Sequence, residues 1–184
     1  MTTLPRNASV TLAERVRADF PILEQVSSSG KPLIYLDHAA TSQKPRVVLD
    51  AIQHYYACDN ANVHRGAHQL SARATESFEA ARATTAGLIG ASSSKEIVFT
   101  RNATEAINLV ARSWGDAQLK AGDEVLLTEM EHHANIVPWQ MLAQERAIEI
   151  RWVPLTDDGQ LDLTDIDSLL DGAKVFAFTA MSNV

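Results

Sequence analysis

The stretch Thr128–Gln140, TEMEHHANIVPWQ, packs two adjacent imidazoles, two carboxylates and an asparagine into thirteen residues. Imidazole titrates near neutrality, so His132 and His133 could carry a proton, stack on a ring or ligate a metal. A lone histidine more often packs on the protein or faces solvent. A pair flanked by Glu131 and Asn135 shifts the reading toward function.

A second cluster is Arg101-Asn102-Ala103-Thr104. Small residues at a helix start leave backbone N–H groups free, and Thr104 adds a hydroxyl. Such a place attracts anions, with a dipole contribution of roughly 0.3–1 kcal/mol. Asn102 or Thr104 could equally be a plain N-cap, because capping and phosphate binding share one residue pattern. His64 and His68 are spaced for a metal on a helix, but Gly66 between them argues against a regular helix there. Asp37 and His38 end an apolar run and could be structural hydrogen-bonding residues. Cys58 lies beside Tyr55 and Tyr56 without a neighbouring base, and is expected to pack. These residues leave open a cofactor enzyme with a phosphate handle, a histidine-based metal-dependent hydrolase, and a non-catalytic fragment or scaffold.

The elements that must position these groups follow from periodicity and punctuation. Thr11 and Glu14 form a capping box for a helix over residues 11–19. Residues 32–36 read as a short strand. Pro45 opens a helix with Val48, Ala51, Ile52 and Tyr55 on one face. Ser71 is the expected cap of a long helix with Ala74, Phe78, Ala81 and Leu88 as its stripe, stopped by Gly90. Strands are then expected at 96–100, 124–128, 148–154 and 174–179. Helices are expected at 104–114, at 135–145 and, capped by Thr164, at 164–170. A turn at Asp157-Asp158-Gly159 opens a small hairpin. Alternating helices and continuously apolar strands imply an α/β fold, its parallel sheet covered on both faces. Both clusters then fall on strand-to-helix connections, where α/β sheets bind ligands.

Bulk properties narrow the class. A hydrophobic fraction of 46% with 21% charged residues is that of an ordinary globular protein. The net charge of −7, with no basic cluster, argues against nucleic acid as the main partner. No apolar run reaches the roughly 20 residues of a membrane span. The start, MTTLPRNASV, lacks the apolar core of a secretory signal, and the one cysteine fits a reducing, cytoplasmic compartment.

Taken together, RADFPIL, YLDHAATSQKP, NVHRGAHQLSARAT, FTRNATEAINLVARSWG, EMEHHANIVPWQ and SNV resemble, in order, the Suf-type cysteine desulfurases. These are pyridoxal-5′-phosphate (PLP) enzymes of fold type I in the class V aminotransferase superfamily. The resemblance implies a mostly parallel sheet flanked by helices, ending before the sheet is complete. Residues 1–31 would be an N-terminal helical arm, and 32–184 the N-terminal part of the PLP-binding large domain. It implies that the Ala103 backbone and Thr104 hydroxyl hold the PLP phosphate. His132 would stack on the pyridine ring and carry a proton, and Asn183 would bond the phenolic oxygen. Ala39 would lie near the substrate carboxylate, and His64 and Arg65 would reach the site across a homodimer interface. The implied reaction takes L-cysteine, or L-selenocysteine, to L-alanine. Sulfur would pass as a persulfide to a SufE-type acceptor for iron–sulfur cluster assembly. The family's Schiff-base lysine, the Asp facing its pyridinium nitrogen and its persulfide cysteine are expected beyond residue 184. Lys31, Lys44, Lys95, Lys120 and Lys174 stand in none of the family's lysine contexts, Cys58 does not match the nucleophile, and Ala180 stands where histidine is usual. The chain by itself is therefore expected to be inactive.

Overall fold

Val125, Leu126 and Leu127 are all fully buried, so the strand that carries them, β1 (Glu124–Thr128), must be covered on both faces. Burying each such side chain contributes roughly 1.5–3 kcal/mol. The computed structural model describes residues 11–182, in two compact units that divide between Ile97 and Val98. The expectations for Asn183 and for the first ten residues lie outside that range.

In the second unit, β1 is the centre of a three-stranded parallel sheet of order β2-β1-β3, with β2 at Glu149–Val153 and β3 at Ala173–Ala177. Its register pairs Val125 with Ile150 and Val175, and Leu127 with Trp152 and Ala177, so these side chains share one face. Against that face pack Ala111, Leu119, Trp139, Leu142 and Ile148. Trp139 and Leu142 come from α6 (Val137–Arg146), with Pro138 in its first turn as the sequence implies. Ala111 comes from the wider turn, Ala111–Gly115, that continues α4 (Ala103–Val110) into α5 (Asp116–Gln118). Leu126 points to the opposite face, near α7 (Ile166–Leu170). There Arg151 donates to the carbonyls of Ser168 (3.0 Å) and Asp171 (3.2 Å) and to Glu124 Oε2 (2.6 Å).

Several expected elements change. Residues 97–100 are extended but pair with no strand among the described residues, since extended chain becomes sheet only beside a hydrogen-bonding neighbour. Helix α7 begins at Ile166 without a side-chain cap, so Thr164 does not cap it. The Thr164 N–H instead donates to Asp162 (3.0 Å) in the preceding turn. The hairpin expected around Gly159 is present, closed by one antiparallel bridge between Leu155 and Leu161.

In the first unit, the capping box of Thr11 and Glu14 starts α1 (Leu12–Val16). Residues 32–36 make only one bridge, Val26 to Pro32, rather than a strand, and Ile34 and Leu36 are exposed. Helix α2 (Arg46–His54) follows Pro45 and runs into a wider turn, Tyr55–Asp59. Helix α3 (Gln69–Ile89) ends at Gly90 in the left-handed conformation that glycine adopts without strain. Its cap is His68, whose Nδ1 accepts from the Ser71 N–H (3.3 Å), so Ser71 is not the cap. Ser71 is buried because its hydroxyl accepts from the Gly66 N–H (3.0 Å) and donates to the Asn62 carbonyl (2.6 Å). Of the expected stripe only Ala74 is fully buried, while Leu88 is exposed. No helix among the described residues is long and apolar enough to cross a membrane.

Candidate active site

At the carboxyl end of β1 the chain leaves the sheet through Glu129–Ala134, a single 3-10 turn at His133–Asn135, and then α6. The N–H of Ala134 donates to His132 Nδ1 (3.0 Å), so a neutral His132 carries its proton on Nε2. The His132 carbonyl accepts from the Asn135 N–H (2.7 Å), which closes the turn around the imidazole. The two histidine rings lie edge to face, 6.4 Å apart between centroids.

Glu131, the residue before His132, is buried at 5% exposure. Its Oε1 accepts from the Thr128 hydroxyl (2.6 Å) and the Thr179 N–H (2.9 Å), and its Oε2 from Asn135 Nδ2 (2.8 Å). Asn135 Oδ1 in turn accepts from Trp139 Nε1 (3.1 Å), which sets the amide's orientation, because an indole N–H can only donate. Ser182 Oγ donates to the Met130 carbonyl (2.8 Å), a further tie between the two strand exits.

The RNAT cluster starts α4. Asn102 is its cap, with Oδ1 accepting from the Glu105 N–H (2.9 Å). Thr104 is therefore not the cap. Among the described residues, its hydroxyl and the N–H groups of Ala103 and Thr104 meet no acceptor. Arg101 chelates Glu105 through its guanidinium (3.2 Å to each oxygen) and its N–H (2.6 Å). Those bonds hold the Glu105 carboxyl below the usual carboxylate range, the guanidinium first and the backbone N–H second.

Ala103 of the first cluster and Glu131, His132, Ala134 and Asn135 of the second line one cleft of about 440 Å³. Its walls include Ala103 and Ile107 from α4, His132, Ala134 and Asn135 from the β1 exit, and Phe176, Phe178 and Thr179 from the β3 exit. Thr104 does not line the cleft but follows Ala103 at the start of α4. Unpaired N–H groups and a hydroxyl therefore adjoin an imidazole and apolar walls, a set that suits a phosphorylated aromatic ligand. Lys120 and Lys174 do not line it; Lys174 lines an adjoining cleft with Trp114 and Trp139.

The remaining candidates belong to the first unit. His64, in a left-handed turn, pairs Nε2 with Glu79 Oε1 (2.8 Å), while His68 caps α3. The two imidazoles thus serve different local partners. Among the described residues, no group of three or more His, Cys, Asp or Glu comes together. Ala39 lies in an exposed turn and Arg65 follows His64. Cys58 is exposed rather than packed, because the wider turn after α2 rotates it outward; its carbonyl accepts from Arg73 (3.0 Å). The sequence flagged Glu131 only as a neighbour of the histidines. Thr128 and Thr179 carried no signal, since their roles depend on two strands ending side by side.

The family described as aminotransferase class-V matches residues 34–184. A probable cysteine desulfurase of Synechocystis is 56% identical over 174 residues, covering 94% of this chain and 41% of the relative. An apo cysteine desulfurase structure from Thermococcus onnurineus superposes with a TM-score of 0.84 at 40% identity, over 96% of this chain and 42% of that one. A cysteine desulfurase structure from Escherichia coli follows with a TM-score of 0.77 at 37% identity, over 96% and 43%. The chain thus spans about two fifths of the length of the relatives it matches. A C-DES mutant structure, 23% identical with a TM-score of 0.68 over 91% of this chain and 41% of that one, holds glycine covalently linked to its PLP cofactor.

Proposed function

Because the chain belongs to the class-V aminotransferase family, we propose that it carries the phosphate- and ring-binding part of a PLP-dependent cysteine desulfurase. The observation that supports this most is the shared cleft of Ala103 and His132 at the carboxyl ends of two parallel strands. In this reading the Ala103 and Thr104 N–H groups and the Thr104 hydroxyl hold the phosphate, at the positive end of α4. His132 lies on the ring face, and its Nε2–H, the proton set by the Ala134 contact, is the one it gives up or takes back. Asn183 bonds the phenolic oxygen, and Ala39 lies near the substrate carboxylate. His64 and Arg65 reach the site of a second subunit in a homodimer. The cofactor, when bound, supplies the electron sink for carbon–sulfur bond cleavage.

The reaction in this reading converts L-cysteine, or L-selenocysteine, to L-alanine, with sulfur leaving as a persulfide. A SufE-type protein accepts it for iron–sulfur cluster assembly, in the cytoplasm. Residues 1–31 act as an arm on a large domain that starts at residue 32. The site is tested by titrating the protein with PLP and, separately, with pyridoxal. The expected result is a preference for the phosphorylated form of at least roughly tenfold, since hydrogen bonds to a charged group contribute about 1.5–3 kcal/mol. Equal uptake of the two, or none of either, would sink the reading.

A further inference from the structure

We propose that Glu131 is a positioning residue of this cleft: its buried carboxylate ties the exits of β1 and β3 together and holds the connecting turn so that His132 is presented to the cleft. The inference rests on the function proposed above only for what the cleft binds. The geometry stands by itself.

Burying a carboxylate is costly unless its oxygens are well supplied with donors. Glu131 is supplied from three directions: Thr128 at the end of β1, Thr179 just past the end of β3, and Asn135 at the start of the next helix. No arginine or lysine among the described residues forms an ion pair with it, so neutral hydrogen bonds carry the arrangement. His132 is the next residue in the chain and, exposed where Glu131 is buried, lines the cleft that Glu131 also borders. Anchoring Glu131 at one side and Asn135 at the other leaves the three residues between them, His132, His133 and Ala134, little freedom. The Ala134 N–H to His132 Nδ1 bond is made inside that anchored span.

The substitution Glu131→Gln probes this without changing volume. A side-chain amide has one oxygen and one NH₂, yet both carboxylate oxygens face donors. The Thr128 hydroxyl can rotate to accept, but the Thr179 N–H cannot. Asn135 could accept only by turning its amide and releasing Trp139 Nε1. One hydrogen bond of the set must fail whichever way the glutamine sits, at Thr179, at Asn135 or between Asn135 and Trp139.

The test is amide hydrogen exchange in wild type, Glu131→Gln and Glu131→Ala, followed by the visible circular dichroism of bound PLP. Exchange at Ala134 and Asn135, whose N–H groups bond to His132, should rise by roughly tenfold or more, as for loss of one buried hydrogen bond. Exchange at Val125 and Leu126 should stay as in wild type. With PLP bound, the dichroism per bound cofactor should fall in Glu131→Gln, reporting a ring no longer held at one angle against His132. Unchanged exchange at Ala134 and Asn135 would overturn the proposal. So would an equal rise at Val125 and Leu126, which would make Glu131 a general support of the sheet. Should Glu131→Ala not fold, the isosteric variant carries the test. A wild-type protein that takes up no PLP would overturn the cofactor reading, while the exchange result would still judge Glu131.

Discussion

Thr104 and Asn102 sit two residues apart and divide the work at the start of α4. Asn102 satisfies the helix by accepting from Glu105, so Thr104 is spared for an outside acceptor. Replacing each with alanine should therefore give different losses. Asn102→Ala removes a cap and should lower stability by about 0.5–2 kcal/mol. Thr104→Ala should leave the melting temperature nearly unchanged and weaken PLP binding roughly tenfold or more, the loss of one donor to a dianion. Calorimetry and a PLP titration on both variants check this. A Thr104→Ala protein that melts early but binds PLP normally would return Thr104 to a structural role.

At the scale of elements, α4 reaches the sheet through a wider turn that ends at Gly115. That turn brings Ala111 and Gly115 against α6, and Gly115 is buried there. A Cβ on Gly115 would meet Leu142 Cδ2 at 2.9 Å and Trp139 Cζ3 at 3.5 Å. Leu142 is fully buried and has no open space to retreat into. Gly115→Ala should cost about 1–3 kcal/mol of stability through overpacking. Urea unfolding measures it directly. Gly87→Ala, where an added Cβ meets nothing within 4 Å, is the control and should be neutral or slightly stabilising. Polar ties add to the packing, with Arg146 donating to Asp116 (2.6 Å) and Arg112 pairing with Glu145. Arg112 holds the Glu145 carboxyl below its ordinary value, so that pair's contribution is lost as pH falls below the usual carboxylate range.

Over the whole molecule, apolar surface is the dominant unsettled quantity. Leu36, Val47, Leu88, Val98, Phe178 and Met181 are all largely exposed, and among the described residues β2 and β3 each present one edge without a strand beside it. Such surface associates in water. A polypeptide of residues 1–184 should therefore self-associate, and light scattering should show its mass rising with concentration. Supplied with PLP, a reductant and L-cysteine, it should release no sulfide, because neither lysine of the second unit lines the cleft. Turnover by a monodisperse monomer would refute both expectations.

Local chemistry was legible in the sequence wherever a few adjacent residues decide the outcome. The Thr11 capping box, the stop at Gly90, the proline at the start of α6 and the apolar run of β1 were of this kind. So were the place of EHHAN between a strand and a helix and that of RNAT at a helix start. Tertiary structure decided what depends on a distant partner. Residues 97–100 and 32–36 have strand-like patterns but no neighbouring strand among the described residues, and a pattern by itself supplies no ladder. Asn102 or Thr104, Ser71 and Thr164 were the capping candidates; hydrogen-bond geometry chose Asn102, put His68 in the place of Ser71 and left α7 without a side-chain cap. Glu131 is the clearest case. Its type and place beside two histidines were visible, but its task needs Thr179, 48 residues away, brought alongside Thr128 by parallel pairing of β1 with β3.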